Sequence, residues 1–123
     1  MLSRRFAMLL GVFLLIEGCW GLFSPVVFGV LSTNRLHAVI HIVLGIVGIL
    51  AGRSGAARNY LLGVGALLAV VGVLRFVPGA SDLVVSLLNV NFAVAYFNIA
   101  VGLISLLIGF SAPRSGSASA PPT

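Results

Sequence analysis

The stretch Asn34-Arg-Leu-His37-Ala-Val-Ile-His41-Ile-Val-Leu-Gly45-Ile-Val-Gly48-Ile-Leu-Ala-Gly52 decides the fold class. From Leu36 to Gly52 it carries no formal charge, counting histidine as neutral. A helix that crosses the hydrocarbon core of a bilayer needs roughly 17 to 25 mainly apolar residues, and this run supplies one such length. Ala38, His41, Gly45, Gly48 and Gly52 recur at alternating spacings of three and four, which sets them on one face of a helix. Lipid gives apolar helices no hydrophobic reason to associate, so membrane interfaces use small residues for close approach and polar ones for hydrogen bonds. The pattern predicts a membrane-spanning helix with a packing stripe.

The same pattern occurs again downstream. Shifting Asn34–Gly52 by 57 positions lands on Asn91–Gly109, with Asn34/Asn91, Ala38/Ala95, Ile42/Ile99, Gly45/Gly102, Leu50/Leu107 and Gly52/Gly109 identical. His41 falls on Asn98 and Gly48 on Ser105, so the order of small and polar positions is kept. A shift of 54 pairs Gly11 with Gly65 and Gly18 with Gly72. Each half therefore reads as helix, proline, short connection, asparagine, helix. Two spans per half make both halves enter from the same side, so the repeats are parallel, related by an axis along the membrane normal.

Other uncharged runs, Gly18–Asn34, Asn59–Leu74 and Leu83–Pro113, extend this reading over the chain. Of its 123 residues 60% are hydrophobic and 7% charged, against about 25% charged in a soluble domain. The sequence predicts an all-α integral membrane four-helix bundle over residues 1–110, with helices at about 6–24, 34–52, 59–77 and 91–110. Residues 111–123 read as a disordered cytoplasmic tail, too polar and proline-rich to bury a core. Pro25 and Pro78 mark the ends of the first and third helices, because proline disfavours the helical conformation just before it. Asn34 and Asn91 stand where the second and fourth begin, as residues that cap free backbone N–H groups. Leu83–Leu88 reads either as a short interfacial helix starting at Ser81-Asp82 or as an early extension of the fourth helix.

The charges exclude several classes. All seven basic residues are arginines at the edges of apolar runs, and the net charge is +5. Scattered in this way they suit orientation signals better than a nucleic-acid footprint, so no nucleic-acid partner is expected. Arg4, Arg5, Arg53, Arg58 and Arg114 fall on one side of the four spans, Arg35 and Arg75 on the other. The positive-inside bias puts both termini in the cytoplasm. Arg4-Arg5 followed by apolar residues resembles a signal peptide, but apolar character continues through Trp20, Leu22 and Phe23. Ile16-Glu17-Gly18-Cys19 has the outline of a lipoprotein cleavage site, which the glutamate fits poorly. The first helix is read as uncleaved, and the lone Cys19 as a small hydrophobe.

Glu17, His41 and Asn98 are the candidate site. Glu17 lies about eleven positions into the first helix, roughly 16 Å deep at ~1.5 Å per residue. His41 and Asn98 each lie seven positions into their helices from the opposite side, roughly 10 Å deep by the same rise. Ionisable residues inside a membrane are costly, usually face the bundle interior, and are often functional. The three can share one intramembrane polar layer, with Glu17 hydrogen-bonded to His41 or Asn98. Gly45, Gly48 and Gly52 on the second helix, with Gly102, Ser105 and Gly109 on the fourth, are the candidate packing residues, turned toward each other. His37 and His41 have the spacing of two metal ligands on a helix, and Glu17 could be a third. His37 near the interface suits capping or headgroup contact better, and no metal site is expected. Bis-histidine haem ligation would need a histidine on a facing helix, so no cofactor is expected either. With no Ser/His/Asp set, phosphate loop or cysteine pair, the chain does not read as an enzyme.

Asn34-x-x-His37-x-x-x-His41, followed by Gly48-Ile-Leu-Ala-Gly52 and Arg58-Asn-Tyr60, resembles an uncharacterised bacterial family of four-span membrane proteins. It is known as domain of unknown function four-three-eight-three. The resemblance implies a second Val-Asn motif opening the fourth helix, which Val90-Asn91 matches, usually with its own histidine, where this chain has Asn98. It covers nearly the whole chain before the tail and implies no activity. The expected function is that of a non-enzymatic structural or interaction component of the bacterial cytoplasmic membrane. Its partners would be the lipid bilayer and either a second copy or another membrane protein. The alternative is a small transporter or proton-responsive protein using Glu17 and His41.

Overall fold

The computed structural model describes residues 2–112. It is all-α apart from a two-rung antiparallel ladder. The elements are α1 (Leu2–Gly21), β1 (Val26–Val27), β2 (Leu31–Ser32), α2 (Arg35–Ser54), α3 (Ala57–Leu74), α4 (Ala80–Leu88) and α5 (Phe92–Ser111). The described residues thus form five helices rather than four, because residues 80–88 form a helix of their own. Asn89 ends it with φ 54°, a left-handed conformation that asparagine tolerates better than most residues, and α5 starts afresh three residues later.

The asparagines set the starts of two long helices. Asn34 Oδ1 accepts from His37 N, and Asn91 Oδ1 from Val94 N, both at 2.9 Å. The prolines act at a distance: α1 stops at Gly21 and α3 at Leu74, each a few residues before Pro25 or Pro78. Gly55, with φ 90°, closes α2 and lets α3 begin two residues on. Of the expected 111–123 tail, Ser111 is instead the last residue of α5, and the stretch from residue 113 onward lies outside the described residues.

Two close helix pairs make up the interior: α1 against α2, and α3 against α5. A Cβ on Gly11 would sit 2.6 Å from Gly45 O, and one on Gly18 2.7 Å from Ala38 O. In the second pair a Cβ on Gly65 would sit 2.9 Å from Gly102 O, and one on Gly72 2.7 Å from Ala95 O. This corrects the expected orientation of the stripes. Gly45 faces α1 and Gly102 faces α3, so the small residues of α2 and α5 are not turned toward each other. Gly48 has a third partner, Tyr60, whose ring a Cβ would meet at 2.6 Å. Tyr60 donates from its hydroxyl to Leu44 O at 2.7 Å, fastening α3 onto α2. Gly52 faces the start of α1 at Met8 and Arg4, Gly109 faces Leu61 and Leu62, and a Cβ on Gly65 would meet Ser105 Cβ at 3.0 Å.

The connections between the paired helices interlock at one end. Asn34 Nδ2 donates to Leu87 O, Asn89 Nδ2 to Thr33 O and Asn91 Nδ2 to Val30 O. Ser32 Oγ donates to Asn89 O and accepts from Asn91 N. Arg75 holds α4 from below, through Nε to Val90 O and Nη1 to Ser81 Oγ, with its guanidinium 4.2 Å over the Phe92 ring.

The outward faces of the long helices are apolar. Leu9, Val12 and Ile16 on α1, Val43, Ile46 and Leu50 on α2, Val70 and Val73 on α3, and Leu103, Ile104 and Leu107 on α5 are all exposed. Among the described residues three helices, α2, α3 and α5, are long and apolar enough to cross a membrane. That is three rather than the four expected. The difference is charge, since every 18-residue window of α1 contains Arg4, Arg5 and Glu17.

Candidate functional site

Glu17 reaches the interior because the residue after it is glycine. Gly18 lets α1 approach the backbone of Ala38 and Ile42 on α2, and those two residues bracket His41. At this crossing Glu17 Oε1 lies directly against His41 Nδ1. Glu17 is 6% exposed and His41 4%, so the acid and the base exclude solvent from each other. An ion pair this deep needs every remaining polar atom satisfied to offset its desolvation. Here one is not, since Glu17 Oε2 has no hydrogen-bond partner among the described residues.

His37 extends the pair. The sequence places it near the interface, but the structure buries it beneath α4, where Nδ1 lies 3.0 Å from Leu88 O. A carbonyl only accepts, so Nδ1 carries the hydrogen and donates. The His37 ring meets the His41 ring edge-on, with centroids 4.2 Å apart. The spacing of four was visible in the sequence. The lid made by Leu88 was not, because it depends on how the 79–90 connection folds back over α2.

Asn98, 2% exposed, comes from α5 on the other side of a small cavity. Its volume is about 100 Å³, and its walls include His37, His41 and Asn98 with Leu44, Leu68 and Val71. The cavity lies between the two helix pairs. Asn98 faces the same space as His41 but makes no hydrogen bond to it, and Asn98 Nδ2 has no partner. The structure thus joins Glu17 to His41 directly and leaves Asn98 across a gap. Such a space is wide enough for a few waters, since one needs only about 10–15 Å³ of this kind of volume. Among the described residues no group of three or more His, Cys, Asp or Glu side chains is placed to hold a metal. Ser105 turns its hydroxyl back to Val101 O at 2.7 Å and contributes no polar contact to the layer. Cys19 is exposed on α1.

The family model described as Domain of unknown function (DUF4383) matches residues 4–111. The chain belongs to that family. The match runs through all four long helices and both connections, so Glu17, His41 and Asn98 all lie within the matched residues. No curated protein and no solved structure matches the chain.

Proposed function

We propose that this DUF4383 chain is a multi-pass protein of the bacterial cytoplasmic membrane, with four spans and both termini in the cytoplasm. Its four long helices form a bundle of two parallel two-helix repeats, α1–α2 and α3–α5, with α4 at the membrane surface. α1 serves as the fourth span. From Met8 to Trp20 its outward face is apolar, Glu17 is turned inward, and Arg4 and Arg5 lie in its first turn, where long side chains reach the interface. The matched glycine crossings of the two pairs support the repeat. The arginine asymmetry supports the orientation.

Its role is that of a non-enzymatic structural or interaction component. The observation that carries this is the Glu17–His41 contact itself. Acid and base face each other within one helix pair, where polar contacts hold helices that lipid does not drive together. Glu17→Gln keeps shape and hydrogen bonding, so the purified variant should match the wild type in detergent thermal stability, and cells carrying it should grow normally across pH. A folded Glu17→Gln protein with a pH-dependent growth defect would instead favour the second reading, a proton-responsive protein or small transporter. A specific observation supports that alternative: among the described residues two buried polar atoms have no partner, Glu17 Oε2 on the residue that contacts His41 and Asn98 Nδ2 on a residue that lines the cavity with His41. Proton flux into liposomes containing the protein decides between the two.

A further inference from the structure

At the end of the molecule opposite the interlocked connections, Arg4 reaches across to α2. Its Nε donates to Gly52 O and its Nη2 to Arg53 O, both at 2.8 Å. These carbonyls belong to the last turn of α2, where helix carbonyls lack intrahelical partners. The contact fixes the Arg4 guanidinium at the rim of a cleft of about 360 Å³ lined by Arg4, Arg5, Met8, Gly52 and Arg53. Arg5 and Arg53 are exposed beside it. Arg58, half-buried in the first turn of α3, has a buried Nε without a partner among the described residues. The chain has only two acidic residues to answer these charges. Glu17 is bound to His41 in the interior, and Asp82 lies on α4, at the other end of α3. Arg4, Arg5 and Arg53 are therefore gathered at a cleft to which the protein supplies no side-chain carboxylate.

We propose that the Arg4–Arg5–Arg53 cleft binds the phosphate of an anionic phospholipid headgroup; this rests on the reading that the helices span a membrane. Guanidinium groups present a planar fork of donors that matches phosphate oxygens, and basic pockets at the cytoplasmic side of membrane helices suit anionic headgroups. A lipid fits better than free phosphate, because Leu2, Met8 and Leu9 are exposed on the same two turns of α1 and offer apolar surface to an acyl chain. Arg4 already spends two donors on α2, so it positions the site, while Arg5 and Arg53 supply the free charge.

The test uses the full chain purified in detergent, with phosphatidylglycerol and phosphatidylcholine offered together and bound lipid read by native mass spectrometry. Phosphatidylglycerol should be retained preferentially. Arg5→Gln and Arg53→Gln should each cut retention about fivefold, the effect of one arginine near an anionic surface. Arg35→Gln, the same charge change at the other end, should leave it unaltered. Equal retention of the two lipids overturns the site, as does an equal loss from Arg35→Gln and Arg53→Gln, which would mean diffuse attraction. Displacement of the lipid by inorganic phosphate overturns the lipid as occupant in favour of a soluble anion. Alkaline carbonate washing of cell membranes separates the underlying reading. A chain released by the wash removes both the membrane reading and the lipid, whereas one that stays embedded without lipid preference removes the site alone.

Discussion

The α1–α2 pair and the α3–α5 pair bury corresponding positions and differ in what those positions can do. Ala7, Leu10 and Leu14 are buried on α1, and their counterparts 54 residues on, Leu61, Val64 and Leu68, are buried on α3. On α2 and α5 the buried partners are Ala38 and Ala95, Gly45 and Gly102, and Gly52 and Gly109. Chemistry breaks the correspondence. Where the first pair has Glu17 and His41, the second has Val71 and Asn98, and His37 is answered by Val94. Each pair has a glycine crossing, and only the α1–α2 pair adds an acid–base contact to it. The crossing brings backbones together wherever it occurs, but it creates a polar site only when the flanking residues are ionisable.

The largest effect should come from breaking the crossing. Gly45→Leu and Gly102→Leu each drive a side chain into backbone that a single Cβ would already meet at 2.7 Å or closer. Neighbouring backbone cannot yield as a flexible side chain can. Each variant should lose about 3 kcal/mol or more of stability, at or above the upper end of ordinary overpacking costs, and run as an aggregate on size-exclusion chromatography. Leu107→Phe, at a position 70% exposed, should behave like the wild type. Leu106 is no such control, because its Cγ lies 3.1 Å from the place a Cβ on Gly65 would take. If Gly45→Leu is severe and Gly102→Leu mild, the two pairs are not the same scaffold.

Most of this architecture was legible in the sequence because it depends on local rules. The apolar lengths, the caps at Asn34 and Asn91 and the small-residue stripes all follow from spacing along one helix. Which helix each stripe meets was not legible. Gly11 and Gly18 on α1 carry the matching pattern, yet choosing between α1 and α5 as the partner of α2 takes the three-dimensional crossing. The pairing of Glu17 with His41 was in reach, since depth along each helix could be counted. The burial of His37 was not, because it depends on Leu88 in a connection whose path no periodicity fixes. Tyr60 over Gly48 was missed for a related reason: its hydroxyl caps no residue nearby in sequence but a carbonyl sixteen residues back.

The next effect tests whether the acid–base contact belongs to its place in the scaffold. Glu17→Leu or His41→Leu alone strands one polar group in the interior. Breaking a buried pair costs about 3–5 kcal/mol in soluble proteins, while polar pairs in membranes average about 0.6, so about 1–3 kcal/mol is expected from each single change. The double variant Glu17→Leu/His41→Leu should recover part of that loss, because two apolar groups replace the pair. The comparison sharpens further by moving the pair. Val71→Glu alone should destabilise, and Val71→Glu with Asn98→His should be milder than Val71→Glu, as the second crossing places the same two positions together. Thermal melting of these five variants beside the wild type in one detergent measures this. A double transplant no better than Val71→Glu would show that the second crossing aligns its backbones but not its side chains.

Asn98→Leu should have the smallest effect, and it discriminates most finely between the two readings of the polar layer. Asn98 is 2% exposed and its Nδ2 has no partner among the described residues. A buried amide with unmet donors costs about 1–3 kcal/mol, whereas an apolar group of the same shape at such a site is often neutral or stabilising. Leucine has nearly the shape of asparagine and would fill part of the 100 Å³ space in front of it. On the structural reading the layer ends at His41, and Asn98→Leu should shift stability by less than about 1 kcal/mol, upward if at all. On the proton-responsive reading, water in the cavity links Asn98 to His41 and supplies the missing partner. Removing the amide would then release that water and cost about as much as any other broken buried hydrogen bond. A melting temperature that falls with Asn98→Leu but is restored by Asn98→Gln or Asn98→His would place a hydrogen-bonded water chain between the two helix pairs. It would make the second pair a participant in the chemistry of the first.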